Sequence, residues 1–174
     1  MRGYRKRPGT QGFSVPLVGA SLFFIISLFL FASYKNSAYQ QAKKEIYSLY
    51  TANRAFDLDE VYQDGLTAIY AKEYGKTATE AGCEALEQTG LPYVLLLSQF
   101  SAPVERVYVT NCQLSETGRE KKARTYDYTV SVCFCLEKGD EVLAPEKTMD
   151  FHGTVVMKKK GWFRWLLDGV TLGE

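Results

Sequence analysis

Several kinds of residue are scarce in this sequence, and each scarcity excludes a class of protein. Only four of the 174 residues are cysteines, which is too few for a small scaffold held together by many disulfides. The five prolines and 14 glycines are ordinary amounts and exclude collagen-like and low-complexity chains. A formal net charge of +1 provides no overall attraction for nucleic acid, and we expect no nucleic-acid partner. This length fits one domain, or one domain with an appendage.

Charged side chains are absent from Pro8 to Tyr34. Within this stretch, residues 15–34 are predominantly apolar, and a helix of that length reaches about 30 Å, the thickness of the hydrocarbon core of a bilayer. The only charges before it are those of Arg2, Arg5, Lys6 and Arg7. Positive charge before a span favours a cytoplasmic N-terminus. The sequence therefore predicts a basic cytoplasmic segment at residues 1–14, a single transmembrane helix at residues 15–34 and an extracytoplasmic domain at residues 35–174.

Two alternatives to a retained membrane anchor stay open. A cleaved signal peptide has a shorter apolar region of about 7–15 residues that ends in a small-x-small site, whereas bulky Phe29, Leu30 and Phe31 stand at the end of this one. No cysteine follows closely, which argues against lipoprotein processing. A buried core helix is the second alternative, although no polar side chains mark a solvent-facing side over these turns.

Beyond residue 35, apolar residues recur at three- and four-residue steps, which predicts helices. The apolar face of the first helix consists of Tyr39, Ala42, Ile46, Leu49, Tyr50 and Asn53. Its opposite side carries Lys43, Lys44 and Glu45. A second helix begins at the N-cap Asp57, with Glu60 as the capping-box partner, and ends at Gly75.

A third helix is predicted over Thr79–Thr89, with Gly90 as its C-terminal stop. The apolar run Leu91–Phe100 follows it. Periodicity does not decide the type of this run, and we expect a short buried helix.

After Pro103 the pattern changes to period two, which predicts strands. One strand places on its apolar face Tyr126, Tyr128, Val130, Val132, Phe134 and Leu136. The other predicted strands are Val104–Leu114, Lys147–Lys160 and Trp162–Leu172, with turns at Ser115–Glu120 and Lys160-Gly161. The order indicates an α+β fold in which an N-terminal transmembrane helix precedes two to three helices packed on a curved, mostly antiparallel four-stranded sheet.

The end of the chain carries a family likeness. Lys160, Gly161 and Trp162 form a turn that leads into an apolar strand with Leu166, Leu167 and Asp168. With the preceding helices and meander, this layout resembles the nuclear-transport-factor-like (cystatin-like) superfamily over residues 38–174. The resemblance implies a cone-shaped α+β fold. That superfamily includes small enzymes, ligand-binding pockets and non-catalytic modules, among them single-span proteins of bacterial secretion and conjugation machines.

The sharpest candidate site lies on the polar side of the predicted sheet. If the second and third strands pair with their apolar faces together, Cys133 and Cys135 lie beside Asp150 and His152. Two thiols, the only histidine and a carboxylate suit a zinc ion or a Cys–His nucleophile. The C-x-C and D-x-H spacings are not those of a structural zinc motif, and cysteine is an ordinary half-buried strand residue or dimer contact. We therefore expect no metal or cofactor, and at most one disulfide.

An enzyme of this fold class would need a polar residue in the cavity between helices and sheet, and Asp168 is the strongest single candidate because an acid in an apolar strand, between Leu167 and Gly169, needs an explanation. The simpler interpretation, which we favour, is a strand-end residue that faces solvent or caps a neighbour. Two basic stretches also stand out. They consist of Arg119, Lys121, Lys122 and Arg124, and of Lys158, Lys159, Lys160 and Arg164. Each fits an anionic lipid, a cell-wall polyanion or an acidic partner, and equally a solvated hairpin tip.

Because no convincing catalytic set emerges, the sequence favours a membrane-anchored, non-catalytic interaction module of the cell envelope over an enzyme. Its expected partners are the lipid bilayer, through residues 15–34, and other envelope proteins or a second copy, as in a secretion- or conjugation-type assembly. The alternative is a small-ligand-binding or enzymatic pocket. A deep cavity lined by Asp168 and tyrosines would favour that pocket, and a filled cone with an exposed apolar patch outside would favour the module.

Overall fold

A computed structural model of the chain describes residues 15–51, 65–97, 100, 102–136, 146–161 and 164–173, with the backbone alone at residues 15–19 and 35. The chain divides into two compact units, Met1–Tyr34 and Lys35–Glu174. Three predicted features lie outside the described residues. They are the basic segment at residues 1–14, the helix start at Asp57 with Glu60, and the tryptophan of the last turn, Trp162.

The described residues form helices first and an antiparallel sheet afterwards, so the predicted α+β class is confirmed. The α-helices are α1 (Val15–Lys35), α2 (Ala38–Leu49), α3 (Leu66–Tyr74) and α4 (Glu80–Thr89), followed by the 3₁₀-helix η1 (Tyr93–Leu97). The strands are β1 (Val104–Arg119), β2 (Ala123–Leu136), β3 (Glu146–Lys160) and β4 (Arg164–Leu172). The sheet order is β1-β2-β3-β4, and each strand is antiparallel to the next.

The first unit is described through the 21-residue helix α1. Its large apolar side chains are exposed, for example Phe23 at 75% and Leu30 at 62%. Across the described part of the chain, no single helix is both long and apolar enough to cross a membrane. The segments Ala20–Tyr34 and Ala38–Leu49 reach that length and hydropathy only when they are counted together. The membrane span at residues 15–34 therefore stays a prediction.

Helix α2 packs on the sheet through Ala42, Ile46 and Leu49, which are completely buried as predicted. Its first turn is capped by Ser37, whose Oγ accepts a hydrogen bond from the Gln40 amide at 3.3 Å. The prediction that Glu45 faces solvent is wrong, since this residue is 7% exposed. Glu45 follows Ala42 by three positions and precedes Leu49 by four, so it lies at the margin of the same helical stripe.

The next helices end where local signals in the sequence place their ends. Helix α3 stops at Gly75. Helix α4 begins after Thr79, whose Oγ1 accepts a hydrogen bond from the Gly82 amide at 3.1 Å, and stops at Gly90, which has a φ of 71°. That left-handed conformation is the one that favours glycine. The apolar run predicted as a short buried helix contains η1.

Strand β1 is longer than predicted. It continues to Arg119 instead of ending at Leu114, and the turn to β2 consists of residues 120–122. The polar segment from Ser115 onward pairs with β2, because strand pairing also accommodates polar residues at an exposed edge. The apolar face of β2 is confirmed, and none of its predicted members is more than 2% exposed. They are Tyr126, Tyr128, Val130, Val132, Phe134 and Leu136.

A buried pair of tyrosines joins α2 to the middle of the sheet. The hydroxyls of Tyr50 and Tyr128 lie 2.9 Å apart, and Tyr128 donates to the Thr171 carbonyl at 3.0 Å, which leaves Tyr50 as the donor to Tyr128. Tyr128 is paired with Gly153 of β3, and its ring crosses β3 at this position. A Cβ at position 153 would overlap both the Tyr128 ring and the Thr171 carbonyl. Glycine at this position therefore makes room for the ring.

Candidate functional site

Two hairpin turns meet at one end of the sheet, because alternate turns of an antiparallel meander fall on the same side. Ala123 pairs with Lys158, and the Lys159 amide donates to the Lys122 carbonyl at 2.7 Å. The two basic stretches that the sequence shows separately are thus neighbours in space. We call the following five exposed lysines the basic end: Lys121, Lys122, Lys158, Lys159 and Lys160.

The lysines of the basic end border two surface clefts. One has a volume of about 300 Å³ and is lined by Lys121, Lys122, Lys159 and Gly161. The other has a volume of about 440 Å³ and lies between the last three lysines and the start of α4. Gly161 turns the chain from β3 to β4 with a φ of 73°, which brings the lysines of β3 to the tip of the hairpin.

Ion pairs and cation–π contacts engage two lysines of the basic end and two arginines beside it. The Lys158 Nζ lies 3.4 Å from Asp168 Oδ1. The ring of Trp165 carries two cations, with the Arg124 guanidinium 5.5 Å and the Lys159 Nζ 5.9 Å from its centroid. Arg119 is paired with Glu116 at 2.6 Å. The remaining lysines of the basic end are exposed, so this end presents net positive charge.

The chain enters the second unit next to the basic end. Asn36, two residues beyond Tyr34, lines a cleft of about 120 Å³ together with Arg164, Trp165 and Leu166. Leu166 also lines the 440 Å³ cleft beside the lysines of β3. In the first turn of α2, the Tyr39 ring lies 6.0 Å from the ring of Tyr126, a residue near the start of β2 and so at the same end of the sheet. The entry point and the basic end therefore share one side of the domain.

The structure separates His152 from the cysteines. Asp150 is opposite Ser131 and so diagonal to Cys133, as expected. His152 is opposite Thr129, whose Oγ1 lies 3.1 Å from its Nδ1, four residues along β2 from Cys133. The predicted grouping of the histidine with the two thiols is therefore wrong.

Glu146 stands beside the thiols instead. The ligand atoms of Cys133, Cys135 and Glu146 lie within 4.8 Å of one another. The Arg106 guanidinium is 3.7 Å from the Cys135 sulfur and 5.5 Å from the centroid of the Tyr108 ring. The Cys133 thiol beside the Tyr108 phenol raises the pKa of this tyrosine to about 12. Three potential ligands converge here, but the guanidinium next to one sulfur opposes a bound cation.

All four cysteines are free thiols. Cys133 and Cys135 are 2% and 4% exposed, so both thiols are buried and not half-buried as the sequence predicts. Burial also raises the pKa of the Cys83 and Cys112 thiols in the core. A raised pKa keeps a thiol protonated and unreactive.

Asp168 occupies a β-bulge near the end of the sheet. Val156 pairs with Gly169 and Met157 pairs with Leu167, which leaves Asp168 as the extra residue of β4. Its Oδ1 accepts a hydrogen bond of 2.6 Å from the hydroxyl of Thr79, the N-cap residue of α4. The carboxylate thus joins the start of α4 to β4. This contact is of the kind expected of a strand-end residue that caps a neighbouring element.

No protein-family model matches this chain, and no curated protein matches it either. That this chain belongs to the nuclear-transport-factor-like superfamily therefore stays a prediction from the order of its helices and strands.

Proposed function

We propose that this protein is a membrane-anchored, non-catalytic interaction module of the cell envelope. In this proposal α1 spans the membrane with its N-terminus in the cytoplasm, and the unit Lys35–Glu174 lies outside. The observation that supports the non-catalytic role is the packing of apolar and aromatic side chains between α2 and the sheet. Ile46, Leu49, Tyr50, Val130 and Phe134 are completely buried there, whereas a ligand-binding domain lines the space between its layers with side chains that a ligand can reach.

Two tyrosine hydroxyls in this core are engaged in hydrogen bonds. The Tyr50 and Tyr128 hydroxyls are hydrogen-bonded in series to the Thr171 carbonyl. Burial raises the pKa of both phenols, so both stay neutral and neither is poised as a base. Asp168, the candidate acid, is bound to Thr79 and Lys158 at the surface of the sheet. These contacts favour structural roles for the groups that an enzyme would use.

The anchor and the assembly role rest on the sequence of α1 and on the layout of the domain. Residues 15–34 lack charge, and the apolar side chains described along α1 are exposed, as those of a lipid-facing helix are. Helices followed by a four-stranded meander are also the layout of the nuclear-transport-factor-like superfamily, whose single-span members belong to secretion and conjugation machines. We extend the proposal to a component of such an assembly, with envelope proteins or a second copy as partners.

The proposal is tested on the intact chain, tagged at both ends and produced in a bacterium. We expect it to stay in membranes washed with alkaline carbonate. Protease added to spheroplasts should remove the C-terminal tag and spare the N-terminal tag. Crosslinking of intact cells should then give a discrete larger species. A mature chain that starts beyond Ser33 and is released, or a chain that stays monomeric after crosslinking, would contradict the proposal.

A further inference from the structure

We infer that the basic end is a binding surface for the anionic phospholipid headgroups of the bilayer in which the predicted span lies. The inference rests on the proposed function, because only an anchored chain brings this end to a bilayer. It adds a ligand class, the phosphate groups of lipids, and assigns the lysines a role that the anchor alone does not require.

The first step is connectivity. The predicted span ends at Tyr34, and Asn36 follows two residues later. A chain covers at most about 3.5 Å per residue, so Asn36 stays within about 7 Å of the end of the span. Asn36 shares a cleft with Arg164 and Trp165, which begin β4. The chain therefore enters the domain at the end of the sheet at which β4 begins, a few residues after the predicted span.

The second step is charge. The five lysines of the basic end are exposed, and each Lys or Arg close to an anionic membrane surface contributes about 1 kcal/mol to binding. With the cleft beside Asn36 included, the described part of this region carries five acidic side chains, Glu45, Glu80, Glu116, Glu120 and Asp168, while Arg119, Arg124 and Arg164 add to the five lysines. Glu45 is buried, and two of the other acids are already paired, Glu116 with Arg119 and Asp168 with Lys158. Net positive charge remains to face the lipid phosphates.

The third step is distance. Electrostatic attraction to a membrane decays over a Debye length, which is about 8–10 Å at physiological salt. Lys147 lies on β3 as well, but at its other end, opposite Phe134. The 12 residues that separate it from Lys159 correspond to about 40 Å of extended strand. Lys147 is therefore far along the strand from the chain entry, and it serves as a control in the same strand.

A soluble polyanion or an acidic protein would also attract lysines. Neither requires the lysines to lie on the side of the domain at which the chain enters it, and an anionic lipid surface does. The neighbourhood of Asn36, Trp165 and the lysines of β3 therefore favours lipid.

The test uses the full chain in nanodiscs of phosphatidylcholine alone or with 30% phosphatidylglycerol. Lysines are acetylated briefly with an N-hydroxysuccinimide ester and quantified by mass spectrometry. We expect labelling of Lys121, Lys122, Lys159 and Lys160 to fall at least threefold in the anionic discs and to recover in 0.5 M salt. Labelling of Lys147 should be the same in both discs.

A charge-removal series accompanies this measurement. The triple substitution Lys121→Gln, Lys159→Gln and Lys160→Gln should return the labelling of Lys122 in anionic discs to its level in neutral discs. Lys147→Gln should leave the protection of Lys122 intact. Circular dichroism of each variant checks that the domain is folded, which is expected because all these side chains are exposed.

The outcomes separate the two proposals. A chain that does not enter the discs contradicts the membrane anchor of the proposed function. A chain that enters them and shows equal lysine labelling in neutral and anionic lipid overturns the headgroup inference and leaves the anchor intact. Equal protection by soluble polyphosphate in neutral discs overturns it as well, because the lysines would then be a site for a free polyanion.

Discussion

At the scale of single residues, the core depends on a missing side chain at position 153. The Tyr128 ring passes over this point of β3 and reaches the Thr171 carbonyl at 3.0 Å. The hydroxyl of Tyr50, 2.9 Å away, depends on the same placement of the ring. The space at Gly153 thus determines two buried hydrogen bonds.

We expect Gly153→Ala to lower the free energy of unfolding by about 1–3 kcal/mol, because the added methyl group must displace the Tyr128 ring. Urea denaturation of the full chain in detergent measures this loss. The control is Gly169→Ala in β4, where the new Cβ would be 3.8 Å from Val156, an ordinary contact, so that a much smaller loss is expected. Equal losses for the two variants would contradict the role of Gly153.

Glu45 is the buried acid of α2. Burial raises the pKa of its carboxyl above the usual 4.5, while the nearby Lys44 ammonium and a hydrogen bond from Thr77 lower it to a lesser extent. A raised pKa means that ionisation disfavours the folded state. The stability linked to this group is therefore complete below the usual pKa and is lost as pH rises through the raised value.

We expect Glu45→Gln to remove this dependence. The advantage of the variant over the wild type in free energy of unfolding should grow from pH 4 upward and then level off. Glu84→Gln on the exposed side of α4 is the control for the loss of one carboxylate, and the Glu45→Gln profile is compared with it. A difference between Glu45→Gln and wild type that is constant from pH 4 to pH 7 would rule out this explanation.

Some details at single residues can be predicted from the neighbouring sequence, and others depend on distant parts of the chain. The cap at Thr79 and the stop at Gly90 are predictable, because a hydroxyl accepting from its own helix and a left-handed glycine need no distant partner. The burial of Glu45 is not, because a residue at the margin of a helical stripe is covered or exposed according to what packs against it. The place of Glu146 beside the thiols depends in the same way on strand register.

At the scale of elements, α4 and β4 are joined by backbone and side chains together. The Thr79 amide donates to the Leu167 carbonyl at 2.8 Å, and the Leu167 amide donates to the Thr77 carbonyl at 2.9 Å. Gly82 allows the close approach, because a Cβ there would overlap the Leu167 carbonyl. The hydroxyl of Thr79 adds its bond to Asp168. One residue thereby caps the helix and connects it to the sheet.

We expect Thr79→Ala to lower the free energy of unfolding by about 1–2 kcal/mol, since both the cap and the bond to Asp168 are lost. Thr79→Ser keeps the hydroxyl and should cost much less. In a double-mutant cycle, Asp168→Ala combined with Thr79→Ala should cost less than the two single changes together. Additive losses would mean that the two side chains do not act as a pair.

Helix α1 gives a second test at this scale. A lysine at the centre of a span disfavours insertion by about 3 kcal/mol, whereas one near its end extends to the interface. We therefore expect Ile25→Lys to move most of the chain out of the carbonate-resistant membrane fraction. Ser33→Lys is the matched control and should leave the chain there. Equal retention of both variants would contradict a span centred on α1.

Sequence periodicity predicts the faces of the strands but not their alignment. Every second residue of β2 from Tyr126 to Leu136 is buried, as period two requires. Sliding β3 by two residues keeps both faces in place, so the pattern does not distinguish Thr148 from Asp150 as the partner of Cys133. That ambiguity is why the predicted cluster with His152 is wrong. The polar end of β1 could not be predicted either, because the period-two pattern detects only strands with an apolar face.

At the scale of the whole molecule, the distribution of charge is a product of topology. A net charge of +1 conceals it, and beyond residue 35 the sequence shows two separate basic stretches about 35 residues apart. The meander folds the β1–β2 and β3–β4 turns to the same end, and the entry of α2 lies beside them. The sequence shows each basic stretch separately, whereas their proximity in space depends on how the strands pair.

The order of strands along the chain also determines how the domain is completed during synthesis. Each strand pairs with its immediate predecessor, so the sheet extends hairpin by hairpin as the polypeptide emerges. Helix α4 emerges early, but the bridge between Ala78 and Leu167 has to wait for the last strand. β4 therefore completes the attachment of α4 to the sheet. A nascent chain that ends before residue 167 would keep α2 on the first three strands but leave α4 without its partner strand, and a chain with such an unpacked helix is a substrate for quality-control proteases.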